Sequence, residues 1–169
     1  ENLTENDFVI GIAASGRTPY AIGAIEYAKE IGAKTGSIAC NKDAKISSYA
    51  DFPIEIETGA EVLSGSTRMK AGTATKLVLN MITTTAMIKI GKVYDNLMVD
   101  VKPTNEKLVD RATKIISEIS GCDYEKSNEL LKDANNNVKL AIIMATKDVD
   151  YEKASEILEK NKGFIREDL

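Results

Sequence analysis

Phe8-Val9-Ile10-Gly11-Ile12-Ala13-Ala14-Ser15-Gly16-Arg17-Thr18-Pro19-Tyr20 decides the fold. Phe8 to Ile12 is a short apolar run that reads as a buried parallel strand. The run breaks at Ser15-Gly16, and Pro19 is placed for the first turn of a helix, where its missing N–H has no intrahelical partner to lose. A strand ending in Ser-Gly-x-Thr-Pro and opening directly into a helix has the geometry that holds phosphate. Ser15 and Thr18 offer hydroxyls, Gly16 lets the backbone approach a ligand closely, Arg17 beside them is a further phosphate-binding candidate, and the first amides of the helix point at an anion with the macrodipole behind them. The same residues also suit a turn with no ligand, because Thr18 is a good N-cap by itself.

Outward from this stretch, the spacing predicts a helix over Tyr20 to Ile31, with Ile22, Ile25, Ala28 and Ile31 on one face and Gly32 as its stop. Thr35 to Cys40 reads as a second strand, and Asn41 to Ala50 as a loop or short helix. Ile54-Glu55-Ile56-Glu57 alternates apolar and charged residues, as a half-exposed edge strand does. Strands and helices alternating at this length argue an α/β fold, a parallel sheet within three layers.

The segment Thr58 to Lys70 is polar and turn-rich and feeds a long helix running to about Ile90. That helix is apolar on nearly all sides (Leu77, Val78, Leu79, Met81, Ile82, Met87, Ile88), which predicts burial in the core or in a subunit interface. Gly91 to Lys102 reads as a connector. From Pro103 the character changes to short capped helices. Thr104 is expected to cap a helix ending at Gly121, and Asp123, Asn137 and Asp150 to cap three more. Asp123-Tyr124-Glu125-Lys126 recurs as Asp150-Tyr151-Glu152-Lys153, the same helix-start solution used twice rather than a repeat architecture. The reading is two domains, residues 1–103 and an all-helical 104–169.

Composition narrows the chemistry. The 169 residues are 43% hydrophobic, enough for a core, and the net charge of −4 provides no basic footprint for nucleic acid. There is no histidine, which excludes Ser-His-Asp and Cys-His machinery and every His-based metal site. Cys40 and Cys122 form neither a disulfide framework nor a paired zinc spacing, so a reducing cytoplasm is the expected compartment and no metal is expected. Leu77 to Ile88 is too short and too interrupted to span a bilayer, so no membrane partner is expected. The chain opens Glu1-Asn2-Leu3-Thr4-Glu5-Asn6-Asp7 without a methionine, which suggests a piece of a longer protein.

A second constellation lies at Glu61-Val62-Leu63-Ser64-Gly65-Ser66-Thr67-Arg68-Met69-Lys70. Ser64, Ser66 and Thr67 could bind sugar hydroxyls or phosphate, Arg68 or Lys70 could neutralise charge, and Glu61 could carry a proton. It reads equally as a polar loop in which Ser66 or Thr67 caps the following helix. Two polar loops at strand carboxyl ends improve the case for a site.

Three blocks of the chain resemble the bacterial N-acetylmuramic acid 6-phosphate etherases: Gly11 to Tyr20, Glu61 to Ala74, and Lys92-Val93-Tyr94-Asp95-Asn96-Leu97-Met98-Val99-Asp100-Val101. The resemblance implies the C-terminal part of a sugar isomerase (SIS) domain over 1–103, then a helical domain similar to ubiquitin-associated modules over 104–169. It implies a cytoplasmic, cofactor-free lyase of cell-wall recycling, a homodimer acting on a sugar phosphate. The implied reaction converts N-acetylmuramic acid 6-phosphate and water to N-acetylglucosamine 6-phosphate and D-lactate. Ring opening exposes an aldehyde that acidifies the C2 proton. A base takes that proton, an acid protonates the departing lactate oxygen at C3, and water adds to the unsaturated aldehyde.

Where SIS loops often read Ser-x-Ser-Gly-x-Thr, this chain has Ala13 at the first serine, so one hydroxyl contact must come from elsewhere. The family's two catalytic glutamates are expected upstream of Glu1, which leaves Glu61 as the candidate acid or base within the chain and predicts that these residues alone are inactive. The related glucokinase regulatory protein supplies the alternative, a non-catalytic sugar-phosphate-binding regulator. A generic nucleotide-binding domain lacks support, because no Gly-x-Gly-x-x-Gly is present.

Overall fold

A computed structural model describes residues 2–166. The chain divides into two compact units, Glu1–Ile82 and Thr83–Leu169, so the connector after Gly91 falls with the helices rather than with the sheet.

In the first unit, β1 (Phe8–Ile12), β2 (Lys34–Ala39) and β3 (Phe52–Glu55) form a parallel sheet in the order β1-β2-β3. Gly11 pairs with Ser37, and Ser37 with Pro53. The third strand begins two residues earlier than the alternation predicts. Pro53 is tolerated inside it because β3 is an edge, where a missing backbone donor costs no ladder bond. Helix α1 (Pro19–Ile31) crosses back over one face, starting one residue before its predicted bound and ending on Gly32 in the left-handed conformation. Ile22 and Ile25 of α1 meet Ile46 of a 3-10 turn (Lys45–Tyr49), together with Ala13, Ala39 and Ala44, to form this unit's core. Close approach of α1 requires glycine at position 11, where a Cβ would lie 2.6 Å from the Ile25 Cδ1.

Asp51 pins the start of β2. It accepts hydrogen bonds from the Thr35 amide and hydroxyl, both at 2.9 Å, and pairs with Lys29 at 3.3 Å. On the opposite face of the sheet the Phe8 and Phe52 rings meet at 5.8 Å between centroids, and both remain more than half exposed.

Helix α2 (Met69–Lys89) has the predicted length but not the predicted burial. Ala71 is its only buried residue, while Leu77 is 48% and Met81 61% exposed. Burial in the chain's own core is therefore overturned. An apolar period all round a helix specifies that it needs cover, not which surface supplies it.

The second unit opens with the hairpin of β4 (Val93–Tyr94) and β5 (Leu97–Met98), turning at Asp95. Helices α3 (Glu106–Ser120), α4 (Tyr124–Asp133), α5 (Val138–Lys147) and α6 (Tyr151–Lys160) follow. Helix α5 is the buried one, with Val138, Leu140, Ala141, Ile142 and Ile143 packed among Ile115, Ile116, Leu131 and Ala154. Val99 and Val101 belong to the same core. Asp123, Asn137 and Asp150 cap as predicted, accepting from Lys126, Leu140 and Lys153 amides at 2.8, 3.2 and 2.9 Å. The first cap is a correction: Asn105, not Thr104, accepts from the Leu108 amide at 3.0 Å. Asn caps at least as well as Thr, and the helix starts one residue later accordingly.

Candidate functional site

Both polar loops belong to the first unit, and the first of them leaves the carboxyl end of β1. The Ala13–Thr18 turn is closed by the Gly16 amide donating to the Ala13 carbonyl at 2.7 Å. Gly16 has φ +67°, in the left-handed region, and a Cβ there would stand 2.5 Å from the Ala44 Cβ. No other residue fits both conditions. The Gly16 carbonyl accepts from the Ile46 amide at 2.9 Å, which anchors the turn to the 3-10 segment.

Around this buried glycine, Ser15, Arg17 and Thr18 are exposed. The Ser15 hydroxyl accepts from the Arg17 amide at 3.4 Å, a long contact. Thr18 occupies the N-cap position of α1, but its side chain makes no capping hydrogen bond. The Thr18 hydroxyl is thus not used in capping α1. Asn41 faces the turn, and with its side-chain amide turned over its nitrogen donates to the Ala14 and Ser15 carbonyls at 3.2 and 3.3 Å.

The second loop is organised by Glu61. Its two carboxylate oxygens accept from the amides of Ala71 at 3.0 Å and Lys70 at 3.1 Å, so it caps the N-terminus of α2. The Ala71 amide, with those of Lys70 and Met69 and the Lys70 charge, holds the Glu61 carboxyl below its usual range. That is the opposite of the raised value that suits a carboxyl to acid–base work near neutral pH. Capping, which the sequence reading offered to Ser66 or Thr67, is done by this glutamate. Ser66 instead accepts from the Arg68 Nε at 2.9 Å, and the Lys70 ammonium donates to the Ala60 carbonyl at 2.7 Å. Ser64 and Thr67 are exposed on the loop and Ser66 is half-buried. Beside them runs a groove of about 520 Å³ lined by Thr58, Val62, Met69, Lys70, Thr73, Ala74 and Leu77.

Cys40, which the sequence reading used only as a redox indicator, joins the pieces. Its amide donates to the Ala14 carbonyl at 2.9 Å, and its thiol lies 3.6 Å from the Ala71 carbonyl and 3.5 Å from the Thr75 hydroxyl. Its carbonyl accepts from the Thr58 hydroxyl at 3.2 Å. Nothing in the local sequence signalled this, because the partners lie 26 residues before and up to 35 after.

Among the described residues no group of three or more Cys, Asp or Glu is placed to hold a metal ion, and no helix is long and apolar enough to cross a membrane.

The chain is similar to known proteins in both of its parts. Residues 95–139 match the C-terminal lid domain of glucokinase regulatory protein. The chain is 60% identical over 168 residues to the N-acetylmuramic acid 6-phosphate etherase of an Exiguobacterium species, covering 99% of this chain and 57% of that protein. It is 61% identical over 165 residues to the etherase of Francisella philomiragia, covering 98% and 56%, and 58% identical over 167 residues to that of Bacillus cereus, covering 99% and 57%. The chain thus spans a little over half the length of these curated relatives. The SIS domain matches residues 1–85, the half of the chain that holds the parallel sheet and both polar loops, and the chain belongs to the SIS domain family.

Proposed function

We propose that the protein carrying this chain is a cytoplasmic carbon–oxygen lyase that cleaves the D-lactyl ether of N-acetylmuramic acid 6-phosphate, giving N-acetylglucosamine 6-phosphate and D-lactate. The observation that carries the reading is the 60% identity to an etherase over 168 residues, a span that includes both loops. Ser15, Gly16, Arg17 and Thr18 take the phosphate, with backbone amides and two hydroxyls, at the start of α1 where the dipole favours an anion. Ser64, Ser66, Thr67 and Lys70 face the sugar.

Glu61 holds the second loop on α2 by accepting from the Lys70 and Ala71 amides, and it is assigned here to that capping role rather than to proton transfer. On that assignment the elimination across C2 and C3 draws its base and its acid from other groups, and water completes the reaction at C3. The protein acts as a homodimer in which the exposed apolar side chains of α2, Leu77 and Met81 among them, are covered by a second copy.

The lid-domain match over residues 95–139 favours a second reading, a regulator that binds sugar phosphate without turnover. Incubation of the full-length protein with N-acetylmuramic acid 6-phosphate separates the two. D-lactate release at an enzymatic rate supports the lyase, and tight binding without release supports the regulator.

A further inference from the structure

Cys40 bonds to the phosphate-type turn through its backbone and to α2 through its side chain. Its amide fixes Ala14, one residue before Ser15. Its thiol meets the first turns of α2 at Ala71 and Thr75, and Ala71 is the same residue whose amide is capped by Glu61. Its carbonyl holds Thr58, where the chain leaves the sheet for the second loop. Cys40, 7% exposed, thus ties the segments that carry the two loops to one another through its backbone and its thiol.

Sulfur suits this seat by size. A C–S bond is longer than a C–O bond, and a thiol donates weak hydrogen bonds at separations where a hydroxyl makes none. The contacts of 3.6 and 3.5 Å are ordinary for a thiol and too long for a serine hydroxyl, which from the same Cβ would fall short of Ala71.

We propose that Cys40 is a positioning residue that holds the Ser15–Thr18 turn and the Glu61–Lys70 loop at the separation a sugar phosphate requires. This rests on the reading of the two loops as one sugar-phosphate site. A ligand that touches both loops depends on the separation, whereas one that touches the first loop alone does not.

The test is binding to the full-length protein, measured by calorimetry or phosphorus NMR with inorganic phosphate and with N-acetylglucosamine 6-phosphate as probes. Cys40→Ala and Cys40→Ser should each weaken the sugar phosphate by roughly five- to tenfold while inorganic phosphate binds as before, the scale of one or two lost hydrogen bonds. Thr75→Val, which leaves Cys40 in place and removes one of its partners, should act in the same direction and guards against a Cys40 variant that fails to fold. Equal weakening of both probes, or of neither, overturns the positioning role. Failure of the wild-type protein to bind either probe overturns instead the site reading beneath it.

Discussion

Gly16 stands against Ala44 so closely that a Cβ on Gly16 would lie 2.5 Å from the Ala44 Cβ. The contact presses the Ser15–Thr18 turn onto the segment before the 3-10 turn and leaves its polar groups facing outward. Gly16→Ala should cost stability twice, about 1–2 kcal/mol for a left-handed non-glycine residue and about 1–3 kcal/mol for overpacking. Ala44→Gly added to Gly16→Ala should recover the second part and not the first. Urea unfolding of the single and double variants checks this, and full recovery in the double variant would show that backbone conformation is not limiting there.

Glu61 separates a capping role from a catalytic one. Glu61→Ala should lower stability by about 1 kcal/mol through the lost cap of α2. Glu61→Gln retains one acceptor oxygen and no titratable proton, and should keep D-lactate release within about tenfold of wild type. A loss of three orders of magnitude in Glu61→Gln, with the fold intact, would return the proton-transfer role to this residue.

Asp51 provides a pH signature. Hydrogen bonds from the Thr35 side chain and amide, with a smaller contribution from Lys29, hold its carboxyl below the usual range. A carboxyl depressed in the folded state contributes stability above its unfolded value and loses it as pH falls through its folded value. Asp51→Asn should therefore lower stability at neutral pH and flatten its fall between about pH 5 and pH 2. Parallel acid-limb slopes in the two proteins, read from urea midpoints against pH, would assign the acid sensitivity elsewhere.

The sheet, α1 and three of the four helix caps were legible because each is local. Apolar run, stop glycine and capping residue act within a few positions of one another, as at Gly32, Asp123 and Asn137. What was not legible depends on distant partners. The start of β3 at Phe52 follows from its place at the sheet edge, which no alternation encodes. The exposure of Met81 on α2 reflects which surfaces this chain supplies, and composition alone does not report that. At the site, the residues of both loops could be read as candidates. The capping by Glu61 and the tie through Cys40 could not, because they join segments separated by turns whose path the sequence does not reveal.

Met81, 61% exposed on α2, tests the homodimer. A charge placed in an apolar interface is left unpaired and desolvated. Met81→Glu should convert the full-length protein from dimer to monomer in sedimentation velocity without a change in helix content. A monomeric wild type, or a dimer unaffected by the substitution, would remove α2 from the interface.

The central claim is that Ser15 and Thr18 hold the phosphate of a sugar phosphate. Its most direct measurement is the affinity of the full-length protein for N-acetylglucosamine 6-phosphate and for N-acetylglucosamine, before and after the paired substitution Ser15→Ala and Thr18→Val. Thr18 makes no capping hydrogen bond, so its replacement should leave α1 and the melting temperature in place. The account predicts that only the phosphorylated sugar binds appreciably and that the paired variant loses at least about tenfold in affinity, the equivalent of one charge-assisted hydrogen bond. Equal binding of the two sugars, or an affinity unchanged in the paired variant, would contradict it.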